Sequence, residues 1–240
     1  MSSPVAIVTG AGSGVGRATA LKFAAEGWRV VVIGRRADAL AATVAAAADS
    51  IRGNFLVRPC DLGDAARIAT LVSDVTKQWG RIDVVVNAAG TNIPKRSLAE
   101  LSHADYAAVM DANIHGVLYL VQAVLPTMRQ AGAGTIVNVG SEAGKQASPK
   151  AGAAYVVSKF GLTGLTQTIN AEERPNGIRA TCIFPGDIDT DLLQRRPVPP
   201  PAEARARMMQ PEDIAACAWF GVNLPARATI EEILIRPSRP

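Results

Sequence analysis

Tyr155 and Lys159 stand four residues apart in AYVVSKF, within the apolar, helix-spaced stretch Gly152–Asn170, so a helix would place both on one face. A free phenol is a poor proton donor and acceptor at neutral pH, and an ammonium one turn away favours its phenolate. The pair is therefore suited to moving a proton; the alternative is a lysine that merely caps an amphipathic face in solvent. Upstream, in IVNVGSEAG, Ser141 follows a Val-rich run. Its hydroxyl could donate to a carbonyl oxygen on which negative charge develops, or could serve only as a local turn or cap.

A second chemistry-bearing segment lies near the start. TGAGSGVGRATA follows an apolar run and opens an Ala-rich helix, with glycines at 10, 12, 14 and 16. Glycine permits left-handed backbone and close approach, and a helix N-terminus offers free N–H groups, so Gly10, Ser13, Gly14, Val15 and Gly16 are expected to cradle a pyrophosphate. A tight turn packed for its own sake would need the same residues. After the second apolar run, VVVIGRRADAL carries Gly34, Arg35 and Arg36 where a carboxylate would bind the ribose hydroxyls of NAD. Paired guanidinium groups suit a 2′-phosphate, so NADP(H) is expected in preference to NAD, unless both arginines are simply solvated. Asp61 and Leu62, after the third run, would lie near the adenine, with Asp61 accepting from its amino group.

The elements that must position these groups are legible as a repeat. Val- and Ile-rich runs occur at Val5–Thr9, Arg29–Ile33, Phe55–Arg58, Ile82–Asn87, Thr135–Gly140, Ile178–Phe184 and Ile233–Ile235. Between most of them lie helix-spaced stretches, among them Ala18–Glu26, Ala37–Ala48, Ala65–Trp79 and Tyr106–Met128. Continuously apolar strands suit a parallel sheet buried on both faces, which predicts a doubly wound α/β fold of about seven strands in three layers, α/β/α. In such sheets ligands gather at the carboxyl ends of the strands, where the glycine turn and Ser141 both fall. Only Gly186–Pro211, with its proline clusters and arginines, breaks the rhythm; it is expected to be an excursion with one or two short helices that walls the substrate site.

Composition bounds the rest. In 240 residues, 48% hydrophobic and 19% charged, there is room for one domain spanning 1–240. The net charge of +4 is spread along the chain, which argues against a nucleic-acid partner. Three scattered cysteines, Cys60, Cys182 and Cys217, point to a reducing compartment and no cysteine-bound metal. Without a signal-like start or a continuous apolar span, a cytoplasmic protein with no membrane association is expected. His103 and His115 have no metal-ligand spacing, Trp28 and Trp79 are expected to pack, and Glu172, Glu173, Glu231 and Glu232 to be solvated.

Taken together, TGAGSGVG, NAAG at Asn87–Gly90, Asn113 in DANIHG, Ser141, Tyr155-x3-Lys159 and PGDIDT at Pro185–Thr190 resemble, in order, the short-chain dehydrogenases/reductases. The resemblance runs from about residue 5 to residue 190 and implies a Rossmann-type fold. It implies that Tyr155 is the acid/base, that Ser141 polarises the reacting oxygen, and that Lys159 assists Tyr155 and binds the nicotinamide ribose. It further implies that Asn113 holds a water of a proton relay through its helix backbone. Asn87, Ala88 and Gly90 would flank the adenosine; Pro185, Gly186, Ile188 and Thr190 would meet the pyrophosphate and carboxamide. Two departures stand out: Ala88 replaces the family's second Asn, and the C-terminal segment lacks the glycine signature of many tetrameric members.

The activity implied is hydride transfer between NADP(H) and the carbonyl or secondary alcohol of a small organic substrate, in the reductive direction, by a homodimer or homotetramer. The alternatives are an NAD-dependent alcohol or sugar dehydrogenase, and a non-catalytic dinucleotide-binding sensor or scaffold.

Overall fold

Strand and helix alternate along the chain as β1 (Val5–Thr9), α1 (Gly14–Ala25), β2 (Arg29–Gly34), α2 (Ala37–Ala45), β3 (Phe55–Pro59), α3 (Ala65–Trp79) and β4 (Val84–Asn87). They continue as α4 (His103–Met110), α5 (Gly116–Ala131), β5 (Gly134–Val139), α6 (Ala153–Glu173), β6 (Ile178–Pro185), α7 (Ala202–Arg205), α8 (Pro211–Val222) and β7 (Glu232–Ile235). In the computed structural model, which describes residues 3–238, the strands form one parallel sheet in the order β3-β2-β1-β4-β5-β6-β7. The winding reverses between β1 and β4, so the loops leaving these two neighbours part to opposite faces and open a crevice.

Alternation along each strand feeds two cores. Val5 and Ile7 of β1, with Val31, Val85 and Ile136, face one layer with α3, α5 and α6. Ala6 and Val8, with Val30, Val32, Val86 and Val137, face the other with α1 and α8. Because both faces are covered, the central strands read as unbroken apolar runs, as the sequence suggested. Trp28 and Trp219 both meet Phe23 edge to face, with ring centroids 5.2 and 5.1 Å apart, and Trp79 packs against the opposite core.

Three features depart from the sequence expectations. The helix expected over Tyr106–Met128 is two, α4 and α5, joined by a π turn at Asp111–His115. Together His103–Ala131 is long and apolar enough to cross a membrane, yet Val117, Leu120, Val121, Val124 and Met128 are buried in the core. Helix α8 was not anticipated: Pro211 starts it, and the Asp213 carboxylate accepts from the Gln210 N–H at 2.8 Å. Glu173, expected in solvent, is 2% exposed. It accepts from both Arg129 Nε, at 2.9 Å, and Arg129 Nη2, and from Asn176 Nδ2 at 2.9 Å, so a buried carboxylate is matched by a guanidinium fork. Glu231 and Glu232 are ion-paired with Arg174 and Lys145.

Strand β7 begins opposite Cys182, which leaves the outer edge of Ala180 without a strand partner. Asn170 of α6 takes its place: its Oδ1 accepts from the Ala180 N–H at 2.7 Å and its Nδ2 donates to the Ala180 carbonyl at 2.9 Å. Replacing Asn170 by Ala strands both groups in the core, and stability in urea unfolding should fall by about 2 kcal/mol. A second prediction concerns acid. The Arg129 hydrogen bond, opposed by burial, holds the Glu173 carboxyl below its ordinary range. The stability this supplies is full above the unfolded pKa of about 4.3 and is lost as pH falls through the lower folded value. Between pH 7 and pH 3, Glu173→Gln should therefore lose less stability than wild type, as read from urea midpoints.

Candidate active site

A cleft of about 820 Å³ lies across the carboxyl ends of β1, β4, β5 and β6. Its floor at one end is the glycine turn, with Gly10, Ser13, Gly14 and Val15 exposed to it. Gly10 adopts φ +64°, and a Cβ there would stand 2.8 Å from Ala89 Cα. A Cβ on Gly16 would fall 2.4 Å from the Gly10 carbonyl oxygen, so α1 can start this close to β1 only as glycine. Ser13 does not cap α1 with its side chain. The carbonyls of the turn are drawn back instead: Arg17 Nη2 donates to Gly12 O at 2.6 Å, and the Thr43 hydroxyl to Ala11 O at 2.7 Å. The cradle thus presents a helix N-terminus to the cleft and is shaped for an anion.

Helix α6 and the exit of β5 build the other end. Tyr155, half-buried, and Lys159, 4% exposed, both line the cleft. The Lys159 ammonium lies 5.5 Å from the centre of the Tyr155 ring and donates to the Val139 carbonyl at 2.8 Å. Ser141 lines the same space as N-cap of a 3-10 turn, its Oγ accepting from the Ala143 N–H at 3.2 Å. It is therefore both a cap and a hydroxyl facing the cleft.

Asn113 is 1% exposed and sits behind Gly90, within the π turn. Its Oδ1 accepts from the Thr91 N–H at 2.8 Å, and its Nδ2 donates to Thr91 O and Ser158 Oγ, each at 3.0 Å. Ser158 in turn donates to the Tyr155 carbonyl at 2.8 Å, so the loop after β4 is tied to the helix that carries Tyr155. An inserted residue in a helix breaks the regular backbone ladder, and such turns recur at functional sites.

Ala88, Gly90, Pro185, Gly186, Ile188 and Thr190 also line the cleft, and Thr190 covers Gly14, its Cγ2 3.2 Å from where a Cβ would stand. Five other residues proposed for cofactor contact from the sequence do not face it. Asn87 is 1% exposed and donates to Asn138 Oδ1 at 2.8 Å, inside the sheet. Leu62 lies in the core, and Asp61 Oδ1 accepts from the Gly63 N–H at 3.0 Å. Arg35 and Arg36 stand exposed at the start of α2, outside the cleft wall but beside the glycine turn, since a Cβ on Gly12 would touch Ala39 Cβ at 3.0 Å. Among the described residues neither guanidinium has a hydrogen-bond or ion-pair partner. These guanidinium groups are thus free to take a ligand at the turn's outer edge.

Sequence reasoning missed the residues that brace the site from behind. Arg17, Thr43 and Ser158 carry no motif of their own, and Asn92 and Arg96 look like ordinary loop residues. Asn92 is 6% exposed and donates to Ala151 O at 2.9 Å. The excursion after β6 is also built: Ile188 bridges Met209, and the Asp189 N–H donates to Met209 O at 2.8 Å. It contains two short helices, the 3-10 turn Asp191–Arg195 and α7. All three cysteines are free thiols, and burial pushes each upward, Cys182 to about 11. Among the described residues no group of His, Cys, Asp and Glu is arranged to hold a metal ion.

Residues 4–198 match the family model for short chain dehydrogenases. The chain is 31% identical over 238 residues to an uncharacterized oxidoreductase of Staphylococcus saprophyticus, covering 99% of this chain and 98% of that one. It is 36% identical over 192 residues to a 3beta-hydroxysteroid dehydrogenase of Mediterraneibacter gnavus, covering 80% and 68% respectively. Among solved structures, a metagenomic short-chain oxidoreductase in complex with NADP superposes with a TM-score of 0.84 at 30% identity, covering 100% of this chain and 99% of that one. This chain is an oxidoreductase of the short-chain dehydrogenase family.

Proposed function

We propose that the protein transfers hydride between NADP(H) and the carbonyl or secondary alcohol of a small organic substrate, with Tyr155 as the acid/base. The observation that carries this is the convergence of Tyr155, Lys159 and Ser141 on one cleft with the glycine cradle at its far end. The cradle fits a dinucleotide on its own terms: backbone stands where any Cβ at Gly10 or Gly16 would fall, and Lys159 brings a buried ammonium to the same space. When bound, the nicotinamide supplies or takes up the hydride.

The chain's own residues then divide the work. Gly10, Ser13, Gly14, Val15 and Gly16 hold the pyrophosphate, with Thr190 over them. Ser141 donates to the substrate oxygen, which lowers the cost of the charge that builds there. Tyr155 gives that oxygen its proton during reduction and removes it during oxidation. Lys159 holds the ribose hydroxyls and stabilises the phenolate left behind. Asn113, through the π turn, links the site to water. Pro185, Gly186 and Ile188 close the nicotinamide end, with Ala88 and Gly90 beside the sugar.

NADP rather than NAD is favoured by Arg35 and Arg36, which stand unpartnered where NAD would need a carboxylate. The NADP held by the metagenomic relative supports the same choice. One domain over 1–240 does both tasks, and the excursion 186–211 walls the substrate. Exposed Tyr106, Val157 and Phe160 on α4 and α6 support assembly of copies through these helices.

Two measurements test the proposal. Tyr155→Phe should lower kcat for reduction of a ketone by NADPH at least ~100-fold while changing the NADPH dissociation constant far less; unaltered turnover would remove Tyr155 from the chemistry. Arg35→Ala should weaken NADPH about 10- to 100-fold in nicotinamide fluorescence titration and leave NADH nearly unchanged. Equal wild-type affinity for the two cofactors would overturn the NADP assignment.

A further inference from the structure

One cation in the cleft wall has no counterpart in the chemistry above. Arg96 is 7% exposed, lines the main cleft, and also borders a second cavity of about 500 Å³. Every other cleft-lining cation except Lys159 meets a carboxylate: Lys145 pairs with Glu232, Arg236 with Glu142, and Lys150 and Arg196 share Asp187 at 2.5 and 2.6 Å. Arg96 meets none among the described residues. Its donors go to main-chain carbonyls of three separate loops, Nε to Ile93 at 2.8 Å, Nη1 to Lys150 at 3.0 Å and Nη2 to Arg195. Carbonyl dipoles orient a guanidinium but do not cancel its charge.

The surroundings make the deficit larger. Asp187 is shared between two cations, so the corner formed by Arg96, Lys150 and Arg196 keeps a positive excess. Two further carboxylates border these cavities, Asp191 in the main cleft and Glu100 in the second, where it accepts from the Ser97 hydroxyl at 2.7 Å; neither forms an ion pair with Arg96. Burial and the Arg196 charge both disfavour the protonated guanidinium. The place is also built for this residue. Gly152, at φ +80°, has no side chain where a Cβ would lie 2.5 Å from Arg96 Cβ. A guanidinium has five N–H donors, and three are used, leaving one on Nη1 and one on Nη2.

We propose that Arg96 binds a carboxylate of the substrate, so that the compounds this site interconverts are oxo acids and the corresponding hydroxy acids. Two spare donors on a fixed plane match two carboxylate oxygens, and a buried cation without a counter-ion gains most from an anion that arrives with the substrate. This inference rests on the hydride-transfer function proposed above and names its substrate class. Arg96 would bind and orient; the proton remains the task of Tyr155.

The test compares 2-oxobutanoate and 3-oxobutanoate with their methyl esters, using the full chain and NADPH. Wild type should favour the better acid over its ester on the order of 100-fold in kcat/KM, and Arg96→Gln should lose that factor for the acid while the ester changes less than about threefold. Arg96→Lys, with the charge but not the fork, should fall between. An arginine that only braces three loops would lower acid and ester alike, and that result, or a wild type indifferent to the carboxylate, overturns the proposal. If Arg96→Gln fails to fold, as judged by its thermal midpoint and NADPH affinity, the wild-type ratio alone decides. Turnover of esters without preference for acids refutes Arg96 and spares the hydride-transfer function. NADPH binding without turnover of either refutes that function; carboxylate binding is then read as a rise in the thermal midpoint of the NADPH-bound protein with 2-hydroxybutanoate. No such rise in wild type overturns the proposal, and its loss in Arg96→Gln supports it.

Discussion

At the carboxyl end of β1 three stretches of backbone meet with no side chain between them. Gly10 lies against Ala89 in the loop after β4, and the first turn of α1 lies against Gly10 through Gly16. The Thr9 hydroxyl fastens the junction by accepting from the N–H groups of Ala88 and Ala89, each at 3.1 Å. The sheet winds outward in both directions from this point, so the contact fixes where α1 starts, how far the β1 and β4 loops part, and therefore how wide the crevice is. Adding one methyl group at Gly16 would force main chain against main chain, which no rotamer change relieves. The cleft is set first by backbone geometry, and its side chains are fitted to what remains.

Those side chains are held by buried polar groups placed one layer behind them. Asn87 and Asn138 share an amide hydrogen bond between β4 and β5, and Asn138 Nδ2 donates to Thr166 of α6 at 2.9 Å. Asn113 and Ser158 do the same between the π turn and α6. Apolar packing alone would let α6 slide along the sheet with little change in energy, whereas a misregistered amide leaves a buried donor unmet, at about 1–3 kcal/mol. The network thereby fixes the register of α6, and with it the height of Tyr155 and Lys159 above the crevice. The buried Asn87 Oδ1 atom has no partner among the described residues, so the network is not closed at that end.

How much of this was legible follows from where each signal resides. The central strands were readable because burial on both faces leaves little but Val, Ile and Ala; β4 begins at Val84, later than its apolar run, and just before it the Asp83 carboxylate accepts from the Val5 N–H at 2.7 Å. Tyr155 and Lys159 were readable because their spacing is the helix's own period. The π turn was not, because the apolar spacing runs on undisturbed through it while Asn113 within it bonds to Thr91, 22 residues away. Glu173 was misjudged for a similar reason: its partner Arg129 is 44 residues distant, and a lone Glu looks solvated until the guanidinium is in place. Arg17, Thr43 and Arg96 act through main-chain carbonyls, which no side-chain pattern records.

The modest charge of +4 acquires meaning once cations are separated by whether they have partners. Paired ones, such as Arg129 with Glu173 or Arg205 with Asp189 at 2.6 Å, position chain segments and present little net field. Arg35, Arg36, Lys159 and Arg96 meet no carboxylate among the described residues and stand around the glycine turn or the cleft; Arg58, Lys77 and Lys95 are likewise without an ion pair elsewhere. Of the first four, Lys159 and Arg96 are buried, and a buried cation with carbonyl acceptors but no counter-ion gains free energy from an arriving anion. Under the proposed function, the 2′-phosphate, the ribose hydroxyls and the substrate carboxylate are the groups these four cations would meet.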